Sequence, residues 1–572
     1  MSVVGGGHAL RRASSVPSTA DRAGGRLRRT FHGPRGVSGV AVIFLLVFAA
    51  ELAFGAWMAA RGFRWNDAMS RSASALFVLH SGDPKLANIG FVWPPLPTLF
   101  GVSWSAFYPI WPGIVASGVA ATLTTAACAG ATAAILLLTA RRLGLSDRLG
   151  WIFALLVALH PMLFLYGSNG MPEGVAAPFL IGAVCCLTLF WHSGERLWVA
   201  AAGTALALGV ACEYPAVPYG AAVFVALAGG VIWSSEARVW APQGRARAIE
   251  GLGLLLLVPP IFIGLLWIGA NAVIMGDPLD FMYGSYGYGT FQRSADPAGA
   301  VVYVTGDVVG ALGLVGERVF PFLIPLAFVL LVRLVDGRLW RINSLSVLLL
   351  GLSVPLGMVV PLAILGSPMG FLRYLVYPLF VAAGWGLYEI AMSRRRGTAV
   401  ALILAGWLIA FPAGLWIMAD PRLGPEEHLE LEALADGGKG GDSVGMRAPV
   451  ARYLEANILP KGGEVLLDSV AGGSAIALQL RPAHLRRLVL TADRRFKPAL
   501  AQPGSYGVRY FLMPDPVGTP TAAIGRAYPR LWDGKQPGFR LVTTLTTQME
   551  KWRIYAVQRS AGMSPTPSGG NG

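Results

Sequence analysis

Long apolar runs dominate the sequence and limit what the chain can fold into. A run of about 23 residues starts near Gly36, and ten more follow at roughly 113–140, 150–167, 173–191, 197–212, 217–233, 252–274, 317–335, 344–365, 374–392 and 398–418. A helix rises about 1.5 Å per residue, so such runs can cross a hydrocarbon core of about 30 Å. The sequence therefore predicts a polytopic all-α membrane protein with about 11 transmembrane helices.

The composition agrees with a membrane protein and argues against a nucleic-acid-binding one. Only 13% of the residues are charged and 54% are hydrophobic, whereas soluble domains carry about 25% charged residues. The formal charge of +15 comes from Lys and Arg in short loops between apolar runs, where the positive-inside rule places them. All four cysteines lie in or beside apolar runs, so we expect neither a disulfide framework nor a Cys-based metal site.

The arginine pattern predicts the orientation of the chain in the cell membrane. Basic residues follow the even-numbered spans, at 141–148, 192–196, 238–247, 333–341 and 394–396. These loops fall on the same side as residues 1–36, which are rich in Arg, Gly, Ser and Pro and are expected to be a disordered cytoplasmic tail. An odd number of spans then places the end of the chain on the extracytoplasmic side.

The residues after the last run have the character of a water-exposed domain. Residues 37–418 form the predicted transmembrane domain, 419–560 a predicted extracytoplasmic α/β domain, and 561–572 a disordered tail. The α/β prediction rests on alternating segments: a helix at Ala448–Leu459, strands at Glu464–Val470, Arg487–Thr491 and Gly507–Met513, and a hairpin of Phe539–Thr546 with Lys551–Val557.

The loop of residues 61–112, directly after the first span, carries the leading catalytic candidate. Residues 64–80 are expected to form a helix along the membrane surface, with Asp67 on its polar side. Its lipid-facing side would hold Trp65, Met69, Leu76 and Leu79. A carboxylate there can take a proton from an attacking hydroxyl or position a divalent cation. The alternative is an i,i+4 ion pair with Arg71.

This arrangement resembles the GT-C superfamily of membrane glycosyltransferases. The shared elements are a first span, an acid soon after its outer end, a surface helix, and the segment Val92-Trp93-Pro94-Pro95-Leu96. The likeness is greatest to the branch of dolichyl-phosphate-mannose protein mannosyltransferases and lipid A aminoarabinose transferases. The resemblance implies that Asp67 is the catalytic base or a metal partner. Many members have paired acids here, whereas this chain has Asn66 before Asp67.

Two further segments are similar to elements of the same family. In Tyr166-Gly-Ser-Asn-Gly-Met-Pro-Glu173, the acid is either a helix cap or a site residue. In Phe371-Leu-Arg-Tyr-Leu-Val-Tyr-Pro378, Arg373 and Tyr374 are predicted to bind the donor phosphate, which suits a fixed guanidinium. The alternative for Arg373 is a side chain that snorkels to the membrane edge.

The remaining candidates for the substrate pocket come from several loops. They are Arg71, Trp93, Asn169, Glu173 and Tyr286. Some relatives have a Lys for lipid phosphate where this chain has Trp93, so that role is not carried over. Tyr286 belongs to the Gly- and Tyr-rich loop 275–316, which suits either a flap over a site or an interfacial aromatic belt. Glu213 lies at a membrane edge and is notable, but we do not expect it to be catalytic.

The resemblance implies an enzyme that transfers a sugar, with inversion, from a polyprenyl-phosphate-linked donor. The acceptor would be a cell-envelope glycan, a lipid or a protein on the outer face. A divalent cation such as Mg²⁺ or Mn²⁺ is compatible with this reaction, and the sequence does not require one. Two alternatives remain open: a transporter or flippase of a lipid-linked substrate, and a catalytically inactive GT-C-like scaffold. The Gly, Ala and Arg content suggests a bacterial source.

Overall fold

The computed structural model describes residues 34–233, 242–284, 304–367, 370–435, 444–517, 519, 522–547 and 550–558. Helices make up its first part. They are α1 (Pro34–Ala60), α2 (Asn66–His80), α3 (Leu96–Ser105), α4 (Gly113–Ala116), α5 (Val119–Arg142), α6 (Asp147–Ala158), α7 (Pro161–Ser168), α8 (Pro172–Ser193), α9 (Leu197–Cys212), α10 (Ala216–Trp233), α11 (Pro242–Met275), α12 (Asp280–Tyr283), α13 (Val308–Val335), α14 (Ile342–Val354), α15 (Val360–Ile364), α16 (Tyr377–Met392), α17 (Arg396–Ala419) and α18 (Pro425–Ala435).

The helical bundle confirms a polytopic membrane protein. Among the described residues, nine helical segments are long and apolar enough to cross a membrane. The predicted third span is a pair, α6 and α7, bent by 72°, and Pro161 opens the second half because its ring prevents a continuous helix. The predicted fifth span, α9, has 16 residues and is shorter than a full crossing.

Small residues allow the first spans to approach closely. A Cβ atom on Gly55 of α1 would lie 2.0 Å from the Ser168 carbonyl oxygen, and one on Gly130 of α5 would lie 2.7 Å from the Phe44 carbonyl oxygen. Glycine at such positions lets helix backbones pack against each other. The packing holds the turn between α7 and α8 beside the end of α1, where the loop 61–112 begins.

Helix α2 confirms the predicted helix in this loop, but its surroundings differ from the prediction. Met69 and Leu76 are buried in an apolar cluster with Leu454 and Leu467, and Trp65 is buried against the bundle. Only Leu79, of the four residues expected to face lipid, is substantially exposed. The prediction of a lipid-facing side was wrong, because residues after 444 pack with Met69 and Leu76, while Tyr166 and Glu430 contact Trp65.

The C-terminal part contains the predicted α/β structure. Its short helices are α19 (Ala448–Tyr453), α20 (Ser474–Ala477), α21 (Pro482–Leu485), α22 (Phe496–Ala501) and α23 (Ala523–Ala527), and its strands are β1 (Glu464–Leu467), β2 (Leu488–Leu490), β3 (Val508–Pro514), β4 (Phe539–Thr546) and β5 (Lys551–Val557). The strand order is β2-β1-β3-β5-β4. Strands β1, β2 and β3 are parallel, and β5 is antiparallel to β3 and β4.

The sheet domain is attached to the loop 61–112 by polar contacts as well as apolar ones. The Tyr108 hydroxyl donates to the Leu480 carbonyl, and the Asp83 carboxylate accepts a hydrogen bond from the Arg494 N–H at 3.0 Å. The loop and the C-terminal domain therefore share one end of the bundle. The candidate site lies at this end.

Candidate active site

The site is organised around Arg373, which lies on the short helical turn Leu372–Tyr374 before α16. The side chain is only 8% exposed, so it does not snorkel to the surface. Its guanidinium carbon lies 4.8 Å from the centre of the Phe371 ring and 5.2 Å from that of Tyr374. Two aromatic rings thus hold a buried cation in place.

Three carboxyl groups from distant parts of the chain surround this guanidinium. Asp67 Oδ2 on α2 is 3.3 Å from Nη1, and Glu426 Oε2 on α18 is 3.1 Å from the same nitrogen. Glu173 Oε1, in the first turn of α8, is 3.7 Å from Nε. The structure thus brings Asp67, Glu173, Arg373 and Tyr374 together, and Glu173 belongs to the site in addition to opening its helix.

A second guanidinium, that of Arg71, lies on the same helix as Asp67. It sits over the Trp93 ring, 5.2 Å from the ring centre, and Nη1 donates to the Pro94 carbonyl at 3.4 Å. Burial lowers the pKa of Arg71, while the Asp67 and Glu173 carboxylates act in the opposite direction. The Pro-Pro segment therefore positions a cation of the site, and the nearest ionic partner of Asp67 is Arg373.

Helix α18 supplies site residues that the sequence reasoning missed. Glu427 Oε1 accepts a hydrogen bond from the Tyr166 hydroxyl at 2.5 Å, and Glu430 Oε2 accepts one from Trp65 Nε1 at 2.7 Å. Burial raises the pKa of both carboxyls. The available signal was a Pro followed by acids at positions i, i+1 and i+4, directly after the last span and on the predicted side of the loop 61–112.

Glu213 also contributes to the site, although the sequence reasoning did not select it. Its Oε1 accepts a hydrogen bond from the Tyr377 hydroxyl at 2.6 Å. Burial, with the nearby Glu173 carboxylate, raises the pKa of Glu213 to about 8. A carboxyl with such a pKa is mostly protonated at pH 7.

Asn169 lies beside this centre rather than in it. It directly follows α7, and its Oδ1 accepts a hydrogen bond from the Met171 N–H at 3.0 Å. It also lines a small pocket with Trp65 and Glu430, beside the site. Tyr286 lies outside the described residues.

A mostly apolar cavity extends from the site into the bundle. Its walls include Glu173, Tyr166, Phe380 and, from the middle of α1, Glu51. A Cβ atom on Gly167 would lie 1.5 Å from Glu51 Oε2, so this glycine makes room for the acid. Among the described residues, no three His, Cys, Asp or Glu side chains are placed to hold a metal ion.

Several buried polar atoms of the site make no hydrogen bond within the described part of the chain. They are Arg71 Nε, Arg373 Nε, Glu173 Oε2, Glu426 Oε2 and Glu427 Oε2. Buried polar groups are nearly always hydrogen-bonded. A cluster of them around one guanidinium is therefore typical of a site built for a polar ligand.

The fold is a polytopic helical membrane domain followed by an α/β domain. A solved structure with this architecture, ArnT from Cupriavidus metallidurans in the apo state, is similar to this chain with a TM-score of 0.51. The match covers 90% of this chain and 98% of ArnT at 14% sequence identity, so it establishes the fold alone. No family model and no curated protein matches the chain.

Proposed function

We propose that the protein is a GT-C-type membrane glycosyltransferase. It moves a sugar, with inversion, from a polyprenyl-phosphate-linked donor to an acceptor hydroxyl on the extracytoplasmic face. The observation that supports this most is the meeting of Asp67, Glu173 and Glu426 at 3.1–3.7 Å around the Arg373 guanidinium. An acid and a fixed cation in one partly buried pocket are the two groups that the reaction needs.

In this proposal Arg373 holds the donor phosphate. Its Nε has Glu173 Oε1 at 3.7 Å but makes no hydrogen bond within the described residues, so its N–H can be donated to a phosphate oxygen. Charge-assisted hydrogen bonds of this kind are the strong ones, and arginine suits planar recognition of phosphate. The lipid tail of the donor would lie among the spans.

Asp67 acts as the general base. Its Oδ2 accepts a hydrogen bond from Arg373 Nη1 at 3.3 Å. A phosphate that takes over this guanidinium releases the Asp67 carboxylate for the acceptor hydroxyl. The acceptor proton then moves to Asp67, the acceptor oxygen bonds to the sugar carbon, and the carbon–oxygen bond to phosphate breaks with its electron pair on the phosphate.

The charge balance of the site is compatible with a phosphate. Glu213 and Glu426 each have a pKa raised to about 8, so at pH 7 both are mostly protonated. The two guanidinium groups, Arg71 and Arg373, then face fewer charged carboxylates than the number of acids suggests. Without this protonation, the acids would repel a phosphate dianion.

Sugar transfer by purified protein tests the proposal. The assay supplies a panel of radiolabelled short polyprenyl-phosphate sugars together with membranes as the source of acceptor. Asp67→Asn should lower the transfer rate by about 10²- to 10⁴-fold, the usual contribution of a general base. Arg373→Ala should also lower it, whereas Asp147→Asn, at an exposed pair with Arg141, should not.

Two results would reject this function. Transfer at the parental rate by both Asp67→Asn and Arg373→Ala would show that the site is elsewhere. Movement of the intact lipid-linked sugar across vesicle membranes without sugar release would indicate the transporter alternative, and binding without any turnover would indicate the scaffold.

A further inference from the structure

Helix α18 is fixed over the site by two of its glutamates. It begins at Pro425, soon after α17 ends at Ala419. Glu427 and Glu430 are fully buried, and their hydrogen bonds to Tyr166 and Trp65 tie the helix to two different parts of the bundle. The helix is therefore a wall of the site, and its first turn faces Arg373.

Glu426 lies in that first turn, and one of its carboxyl oxygens can still make a hydrogen bond. Its Oε2 is 3.1 Å from Arg373 Nη1, but the geometry is that of an ion pair, and this buried oxygen makes no hydrogen bond within the described residues. Arg373 Nε, which has Glu173 Oε1 at 3.7 Å, is likewise without a hydrogen bond there. One oxygen of Glu426 and one nitrogen of the guanidinium that it contacts can thus each make a further hydrogen bond.

We propose that Glu426, in its protonated form, is a hydrogen-bond donor of the phosphate site and binds a phosphate oxygen beside Arg373. This inference rests on the proposed function, because it requires that Arg373 binds phosphate. It adds a second ligand to that site, supplied by a helix outside the transmembrane bundle. It also makes phosphate binding dependent on pH.

The charged groups that face Glu426 support the protonated form. They are Arg373, Asp67, Glu173 and the neighbouring Glu427, so one cation stands against four carboxyl groups when Glu426 itself is counted. Burial raises the pKa of Glu426 to about 8, and Arg373 offsets only part of that effect. An apolar, acid-rich site can keep a carboxylic acid neutral at pH 7, so that it donates a hydrogen bond.

Deprotonation reverses the contribution of Glu426. A carboxylate has no hydrogen to donate and repels a phosphate dianion a few ångströms away. Phosphate affinity should therefore be constant near pH 7 and fall above about pH 8. The phosphate of the ligand has its own second pKa near 6, so it remains a dianion across that range.

Binding of geranylgeranyl phosphate to the detergent-solubilised full chain tests the inference between about pH 7 and pH 9.5. Parental affinity should fall up to about tenfold for each pH unit above 8. Glu426→Gln keeps a neutral donor, so it should bind within about threefold of the parent at pH 7 and show a much shallower fall above pH 8. Glu426→Ala should bind about tenfold more weakly at pH 7, with the same shallower fall.

Two further variants separate Glu426 from other acids. Glu432→Gln is the control, because it changes an exposed position of the same helix, and it should keep the parental pH profile. Glu213→Gln removes the other site carboxyl with a pKa of about 8, so it should lose only the part of the fall that Glu213 causes. A flat profile in Glu213→Gln, or a parental profile in Glu426→Gln and Glu426→Ala, would overturn the inference.

The same assay distinguishes this inference from the function on which it rests. If Arg373→Ala binds geranylgeranyl phosphate as tightly as the parent does, the phosphate site is wrong and the proposed function fails with it. If Arg373→Ala loses binding while both Glu426 variants behave as the parent, only the role of Glu426 is wrong.

Discussion

Replacement of Arg373 by Gln should affect the stability of the protein and its phosphate affinity for different reasons. The substitution leaves Asp67, Glu173 and Glu426 facing one another without the cation that lies within 3.7 Å of all three. Breaking a fully buried ion pair by removing one partner costs about 3–5 kcal/mol. The Asp67 and Glu426 side chains are 28% and 26% exposed, so we expect a cost near the lower limit, about 3 kcal/mol.

The assay is thermal unfolding of the detergent-solubilised protein, followed by intrinsic fluorescence. Arg373→Gln should lower the unfolding midpoint by several degrees, and more at pH 8 than at pH 6, because the uncompensated carboxylates can take up protons at the lower pH. The double variant Arg373→Gln with Glu426→Gln removes one of the facing acids and should recover part of the midpoint. Arg394→Gln, at an exposed site, should leave the midpoint unchanged.

Geranylgeranyl phosphate binding should not recover in the double variant. A hydrogen bond to a charged group contributes roughly 1.5–3 kcal/mol, so loss of the Arg373 contact should weaken binding by about 10- to 150-fold in both variants. If the double variant regains affinity together with stability, Arg373 acts on binding only by screening Glu426. If the single variant keeps both, the reasoning about this cluster is wrong.

Two further predictions concern the scaffold. Gly55→Ala should destabilise the protein by about 1–3 kcal/mol, because the new methyl group would lie 2.0 Å from the Ser168 carbonyl oxygen. Gly264→Ala is the control and should not destabilise the protein, because nothing lies within 4 Å of the new methyl group. Equal unfolding midpoints of the two variants would contradict the packing argument. Burial raises the pKa of Asp493 to about 6, so its protonated form is favoured in the fold, and the stability that it contributes at low pH is lost as the pH rises through 6. Asp493→Asn should therefore increase the free energy of unfolding at pH 7.5 by roughly 2–3 kcal/mol and raise the unfolding midpoint. This increase should become smaller toward pH 4. The exposed Asp533→Asn is the control, and a gain that is independent of pH would refute the assignment.

The candidate site is assembled from segments that are far apart in the sequence. The loop 61–112 brings the acid Asp67 to Arg373. Glu173 and Glu426 bring carboxyl groups to the same guanidinium from α8 and α18. The number of acids around Arg373 is therefore set by the fold rather than by neighbours in the sequence.

The sequence by itself determined the membrane class and most of the secondary structure. A bilayer has no water to satisfy backbone groups, so long apolar runs must become helices of nearly fixed length. The hairpin Phe539–Thr546 with Lys551–Val557 also follows from local alternation, and the structure has the same bounds. The sequence further selected Asp67 and Arg373, because each is a polar group at an expected membrane edge.

Tertiary structure alone decided what surrounds these groups. From the local sequence, acids after the last span, such as Glu426, are expected to lie on a solvent-exposed face of a helix. Nothing nearby in the sequence shows which surface covers them. In the same way, α2 was expected to face lipid, yet Met69 and Leu76 pack against residues almost 400 positions later in the chain. Charge and periodicity are local properties, whereas burial and the resulting pKa depend on which distant segments the fold brings within a few ångströms.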